Sequence, residues 1–202
     1  TSKYQTNDYE INDTFKNISV STDTANIDFL PTSDSKILVS CYEQANGKHE
    51  VSVNNETLEI KLKSTKKWYE HIGVNFTSPK ITVYIPEGEY GNLLVNNSTG
   101  DIQISKEFTF ENIDIKGSTS SVINRASVKN NVKIKLSTGD IKTENISAKA
   151  MDLSVSTGTV TLHNVKCNGD IKIKVSTGKA YITDTNCKNL ISSGDTGDLN
   201  LK

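Results

Sequence analysis

Three stretches of this chain share one pattern: VKIKLSTGDIK (residues 132–142), MDLSVSTGTVT (residues 151–161) and IKIKVSTGKAY (residues 171–181). In each stretch, apolar and polar residues alternate up to a Ser-Thr-Gly tripeptide and alternate again after it. Alternation with a period of two is typical of a β-strand with one buried face. Glycine at the third position supplies the positive φ of a tight turn. Each stretch is therefore predicted to be a strand, a turn and a second strand.

The Ser-Thr-Gly turn recurs at a nearly constant interval. With Ser118-Thr119-Ser120 and Asp195-Thr196-Gly197 counted as variants, the third residue falls at positions 100, 120, 139, 158, 178 and 197. A unit of 19 or 20 residues cannot bury its own apolar face, so the units are predicted to stack around a common core. The predicted turn ladder comprises Thr99, Gly100, Thr119, Thr138, Gly139, Thr157, Gly158, Thr177, Gly178, Thr196 and Gly197. The predicted fold is all-β: a single-chain parallel β-solenoid.

Residues 93–202 are predicted to form six regular rungs, and residues 1–92 to form irregular rungs and a β cap. The front part is rich in strand patterns, and Ala45-Asn46-Gly47-Lys48 is predicted to be a hairpin turn between two strands. A cap is expected because the end of a solenoid is an unpaired strand edge. No linker or low-complexity stretch separates the two parts, so residues 1–202 are predicted to be a single domain.

Charge and composition exclude some classes of function. The chain has 23 basic and 24 acidic residues, and Arg125 is its single arginine. A nucleic-acid binder that neutralises phosphates needs a basic excess, so this class is disfavoured. No apolar stretch approaches the roughly 20 residues of a membrane span. Because the chain begins at Thr1, we expect a targeting or anchoring segment to precede it.

One segment interrupts the repeat pattern and is the candidate partner contact: Lys66, Lys67, Trp68 and Tyr69. An exposed Trp and Tyr beside two lysines could bind a glycan or a protein. The alternative is that the aromatic rings cover the end or side of the solenoid core.

The sequence offers no pattern of catalytic, metal or cofactor residues. His49, His71 and His163 lie on different segments without a partner at metal-ligand spacing, so each is expected at the surface. Acidic residues follow only some of the turns, which argues against a calcium-binding solenoid. We therefore expect no metal, no cofactor and no enzyme activity.

The cysteines follow the repeat in two of three cases. Cys167 and Cys187 each lie nine residues after the glycine of their turn, so they are predicted to stack on adjacent rungs. They are interpreted as free thiols, although a disulfide remains open in an oxidising compartment. Cys41 has no evident partner.

The motif FKNISV (residues 15–20), the stretch ITVYIP (residues 81–86) and the repeated S-T-G-D-I resemble the bacterial "putative adhesin" domain of unknown function. The resemblance covers nearly the whole chain. It implies an all-β solenoid on the outer side of the cell envelope, commonly behind an anchor or signal sequence, and it names no catalytic residues.

The function expected from these features is that of a non-enzymatic, extracytoplasmic surface protein. Its rigid solenoid would bind a glycan, cell-wall or protein partner, and the chain would be a monomer or a weak end-to-end dimer. The alternative is a regulatory or sensory ectodomain in envelope-stress signalling. A polysaccharide-active enzyme is disfavoured because one arginine and scattered acids cannot readily assemble a lyase or hydrolase site.

Overall fold

The computed structural model describes residues 3–63, 78–194 and 196–202, and these residues form strands and turns. The strands are β1 (Tyr4–Ile11), β2 (Asn17–Thr24), β3 (Asn26–Pro31), β4 (Ile37–Gln44), β5 (His49–Asn54), β6 (Thr57–Leu62), β7 (Lys80–Ile85), β8 (Gly88–Thr99), β9 (Ile102–Ile104), β10 (Phe108–Thr119), β11 (Val122–Asn124), β12 (Ser127–Val128), β13 (Asn131–Ala148), β14 (Ala150–Cys167), β15 (Asp170–Thr183), β16 (Asn189–Ser193) and β17 (Thr196–Leu201). Among the described residues, none belongs to an apolar helix of membrane-spanning length.

From β8 onward, equivalent positions of consecutive rungs pair in parallel. Leu153 stands opposite Ile134 on one side and Ile173 on the other. The turn threonines pair in the same register, in the order Thr24, Thr99, Thr119, Thr138, Thr157, Thr177 and Thr196. The inward side chains form one continuous apolar core from Ile18 to Ile182. The predicted all-β parallel solenoid is confirmed.

The first rungs do not stack in chain order. Strands β2 and β3 form a rung with a regular turn, but they lie between β6 and β7 on one side and β8 and β9 on the other. Along the chain, β2 and β3 therefore form an inner rung first, and β6 and β7 later form the outer rung on one side of it. Strands β8 and β9 then pair with the other side of the inner rung and continue the stack. This order explains why the front part of the sequence lacks a regular period.

Antiparallel strands close this end of the solenoid and form the cap. Strand β4 pairs with β7, β1 pairs with β4, and β5 pairs with β6. The prediction of a hairpin at Ala45-Asn46-Gly47-Lys48 is wrong, because the strands on either side of this turn pair with other strands. The hairpin is instead that of β5 and β6, whose turn residues Asn55 and Glu56 have positive φ. Which strands pair in the cap depends on the rung edge that they cover, and the local sequence of the turn does not indicate this pairing.

The turn glycines are required by the neighbouring rung as well as by the turn. Gly139 and Gly158 have φ of +138° and +149°, a region that side chains disfavour. A Cβ atom on Gly139 would lie 1.6 Å from the carbonyl oxygen of Ser120, and one on Gly158 would lie 1.7 Å from that of Gly139. The rungs can stack at strand spacing only because these positions carry no side chain.

Candidate functional site

The most polar buried site of the described residues lies in the cap. Cys41 and Glu43 are two residues apart on β4, so both side chains point to the same, inner side of the strand. His49 begins β5 and lies against Glu43. Cys41 and Glu43 are fully buried and His49 is 3% exposed. We call these three residues, with their half-buried partners Asn7 and Thr22, the cap cluster.

The expectation that His49 lies at the surface is wrong. It lies in the interior because the cap folds over it, and its polar atoms all have partners. Its Nδ1 atom lies 2.7 Å from Oε2 of Glu43, and its backbone N–H donates to the same oxygen at 2.8 Å. Its Nε2 atom lies 2.7 Å from the hydroxyl oxygen of Thr22. A buried imidazole is tolerated here because both ring nitrogens are hydrogen-bonded.

The carboxylate of Glu43 is equally well satisfied. Its Oε1 atom accepts a hydrogen bond of 2.8 Å from the side-chain amide of Asn7 on β1. Burial acts to raise the pKa of Glu43, but the hydrogen bonds from the His49 ring, Asn7 and the His49 backbone together hold it below its usual value. Glu43 is therefore ionised at neutral pH and is the negative centre of the cap cluster.

Cys41 is the third titratable group of the cluster. Burial raises the pKa of its thiol to about 12, and the negative charges of Glu43 and Asp8 add to the shift. No partner of Cys41 is evident in the sequence, but in the structure its sulfur and the ligand atoms of Glu43 and His49 all lie within 4.8 Å of one another. Glu43 lies on the same strand as Cys41 and His49 on the next one, and this spacing matches no recognised metal-binding motif.

The Thr22–His49–Glu43 chain has the connectivity of a hydrolytic triad, but it lacks space for a substrate. The adjoining cavity, lined by Thr22, Gln44 and His49 among other described residues, has a volume of about 10 Å³. This volume accommodates roughly one water molecule. Within the described part of the chain, the cavity beside the cluster is therefore too small for a substrate.

The remaining histidine and cysteine predictions can be compared with the structure where it describes them. His163 is exposed on β14, as expected. Cys167 and Cys187 are free, so their interpretation as thiols is confirmed. The backbone N–H of Cys167 donates to Asn186, which places Cys187 on the adjacent rung.

A second site is the outer surface of the strand segments that precede the turns. We call it the basic face, and it comprises Lys116, Lys133, Lys135, Lys172 and Lys174. All five side chains are exposed, and none makes an ion pair with another described residue.

The basic face consists of two neighbouring columns. In one column, Lys133 and Lys172 alternate with Asp114 and Asp152. The other column runs Lys116, Lys135, Ser154 and Lys174 without an acidic residue. Lys116 and Lys135 stand directly opposite each other, an arrangement that disfavours folding slightly. Pairing with the described residues therefore does not explain the second column.

Charge is also distributed unequally along the sequence. Residues 1–104 contain 9 lysines and 14 acidic residues, whereas residues 105–202 contain 14 basic and 10 acidic residues. The half of the sequence that contains most of the regular rungs is thus basic, and the half that contains the cap strands is acidic. The near-zero net charge of the whole chain conceals this separation.

The predicted contact residues Lys66, Lys67, Trp68 and Tyr69 lie outside the described residues, as does His71. Their role as a partner contact stays a prediction.

Stacked rungs with Ser-Thr-Gly turns, closed by antiparallel strands, define an all-β solenoid protein with a buried polar cluster and a basic face. Residues 15–202 match the model of the family described as Toastrack DUF4097, and the chain belongs to this family. The resemblance drawn from the sequence motifs is thereby confirmed.

Two solved structures share the fold over the whole chain. One is a "putative adhesin" from Bacteroides fragilis NCTC 9343, with 20% identity, a TM-score of 0.52, and coverage of 100% of this chain and 98% of that one. The other is a "putative cell adhesion protein" from Clostridium sporogenes ATCC 15579, with 12% identity, a TM-score of 0.54, and coverage of 99% of both chains. A search of curated proteins finds no match.

Proposed function

We propose that this chain is a non-catalytic binding module of the outer cell envelope, and that its basic face binds an extended anionic polymer such as an acidic glycan or cell-wall polymer. The observation that carries the proposal is the column of Lys116, Lys135 and Lys174, which is exposed and has no acidic partner among the described residues. The adhesion names of the two solved relatives support a place at the cell surface.

The geometry of the basic face fits a long partner better than a compact one. Adjacent rungs are about 4.8 Å apart, and the five lysines span four consecutive rungs. A hollow of about 360 Å³ on this face is lined by Lys133 and Lys172 together with Asp152 and Asp170, whereas the lysine column beside it carries no acidic residue. A polymer with repeated carboxylates or phosphates can place one charge near each lysine without entering a pocket.

The test is binding to polygalacturonate, a polymer of carboxylate sugars, with neutral dextran as the reference. We expect the wild-type chain to bind polygalacturonate, and raised salt to weaken the binding because exposed charges are screened. The triple variant Lys116→Gln, Lys135→Gln, Lys174→Gln should bind at least about tenfold more weakly, which corresponds to roughly 1.4 kcal/mol.

The matched control removes the same charge from another surface. Lys149, Lys166 and Lys188 are also exposed, belong to the same basic half and make no ion pair with a described residue. Their triple change to Gln should leave the affinity within about twofold of wild type. Equal weakening by both triple variants would show attraction by net charge alone, and absence of binding by the wild type would reject an anionic polymer as the partner.

A further inference from the structure

We propose that Cys41, Glu43 and His49 form a zinc site that cross-links strands β4 and β5 of the cap. A thiolate, an imidazole nitrogen and a carboxylate oxygen are the three kinds of ligand that Zn²⁺ takes in proteins. These atoms already lie within 4.8 Å of one another in the interior of the cap. Tetrahedral zinc, with bonds of about 2.0–2.3 Å, separates its ligand atoms by roughly 3.3–3.8 Å, so small side-chain movements suffice.

The atoms around the cluster are arranged as the outer partners of a metal site. If Nδ1 of His49 binds the metal, Nε2 carries its proton and can donate it to the hydroxyl oxygen of Thr22, 2.7 Å away. If Oε2 of Glu43 binds the metal, Oε1 keeps its hydrogen bond from Asn7. Such second bonds fix the orientation of metal ligands in known sites. The atoms of His49 and Glu43 that do not bind the metal therefore already have hydrogen-bond partners.

The charge and the coordination number also fit a divalent ion. Binding replaces the proton of the Cys41 thiol by the metal and releases that proton to solvent, so thiolate and carboxylate together balance the two positive charges. Zinc with three protein ligands takes a water molecule as its fourth ligand. A soft sulfur ligand selects zinc over magnesium or calcium.

The bound ion would join two strands of the cap. Cys41 and Glu43 belong to β4, His49 begins β5, and Thr22, which contacts the His49 ring, lies on β2 of the inner rung. Strands β4 and β5 follow each other along the chain but do not pair with each other. The site thus supplies a cross-link where no backbone ladder of the described strands connects them.

The experiment uses Co²⁺ as a spectroscopic probe and Zn²⁺ as the ligand, added to chain refolded from a metal-free state. We expect one equivalent of Co²⁺ to bind with the charge-transfer absorption of a thiolate ligand, and Zn²⁺ to displace it and raise the melting temperature. Cys41→Ser should lose the charge-transfer band. The matched control Cys167→Ser removes another buried, free thiol and should keep it. Thr22→Val should weaken Zn²⁺ binding by about 10–100-fold, the usual effect of losing an outer partner.

A second measurement keeps the proposal testable if Cys41→Ser does not fold. X-ray absorption at the zinc edge of the wild-type protein should show one sulfur ligand together with nitrogen and oxygen ligands. A shell of nitrogen and oxygen alone, a charge-transfer band that persists in Cys41→Ser, or a wild-type chain whose melting temperature does not respond to Zn²⁺ would each overturn the zinc site. The cap cluster would then be a hydrogen-bonded cluster only.

Discussion

The Cβ position of Gly158 lies 1.7 Å from the carbonyl oxygen of Gly139 on the adjacent rung. No side chain fits at that distance, and the φ of +149° is itself unfavourable for any residue with a Cβ atom. The Ser-Thr-Gly motif is therefore repeated because each glycine makes room for the rung before it.

Gly158→Ala is expected to destabilise the protein strongly. Strained φ costs about 1–3 kcal/mol, and the rungs must also move apart to relieve the clash with Gly139. Urea unfolding followed by circular dichroism measures the change. The control Ser156→Ala lies exposed in the same turn and should stay within about 0.5 kcal/mol of wild type. Equal stability of the two variants would mean that the rungs do not stack as closely as described.

Leu153→Asp is expected to abolish folding. Leu153 is fully buried between Ile134 and Ile173, and an unpaired charge there costs several kcal/mol. This is comparable with the total stability of a typical domain, about 5–15 kcal/mol. Thermal melting tests it, with Ser154→Asp on the outer side of the same strand as the control. A Leu153→Asp protein that melts within a degree or two of wild type would contradict the register.

Acid is expected to weaken the metal-free protein through Glu43. The pKa of Glu43 is lower in the folded chain than its ordinary value, so ionised Glu43 favours the folded state. This contribution is complete above the unfolded pKa and disappears as the pH falls through the folded pKa. In urea titrations with a chelator present, the difference in free energy of unfolding between wild type and Glu43→Gln should therefore shrink from pH 7 to below pH 4.

The control for this experiment is Glu87→Gln, because Glu87 is exposed. Its difference from wild type should be small. A Glu43→Gln difference that is constant over the same range would show that packing, and not charge, gives Glu43 its effect.

Trp68→Ala is predicted to reduce partner binding more than stability. The prediction rests on the sequence, in which Trp68 lies between two lysines and Tyr69 outside the repeat pattern. A glycan array and a cell-wall pull-down measure binding, and thermal melting measures stability. A loss of stability alone, or an equal loss of both, would assign Trp68 to the core of the solenoid.

Self-association of this chain, if present, is predicted to be weak and to run end to end through the last rung. Strands β16 and β17 pair with β15 on one side, and Leu199 and Leu201 are 44% and 57% exposed. The N–H of Lys202 donates to Ile182 on β15, so the N–H of the preceding residue, Leu201, faces the free edge. Leu201→Pro removes this backbone donor and should abolish any dimer seen by light scattering. A tight dimer that survives the change would place the interface elsewhere.

The strands, turns and stacking of the regular rungs follow from the local sequence pattern. Alternating apolar residues, a turn glycine and a constant period are local features, and stacking follows because one rung cannot bury its apolar face alone. The same period places Lys116 and Lys135 side by side, so the basic face follows from register once the stack is known.

The strand pairing of the cap follows from tertiary packing and not from the local sequence. Strands β6 and β7 lie outside β2 and β3 because an exposed rung edge needs cover, and this pairing joins residues far apart in the chain. His49, Glu43 and Thr22 meet through that arrangement, with a separation of 27 positions between His49 and Thr22 along the sequence. The repeat period and the turn motif indicate contacts that recur in every rung. The cap cluster instead depends on non-local packing that occurs only once in the fold.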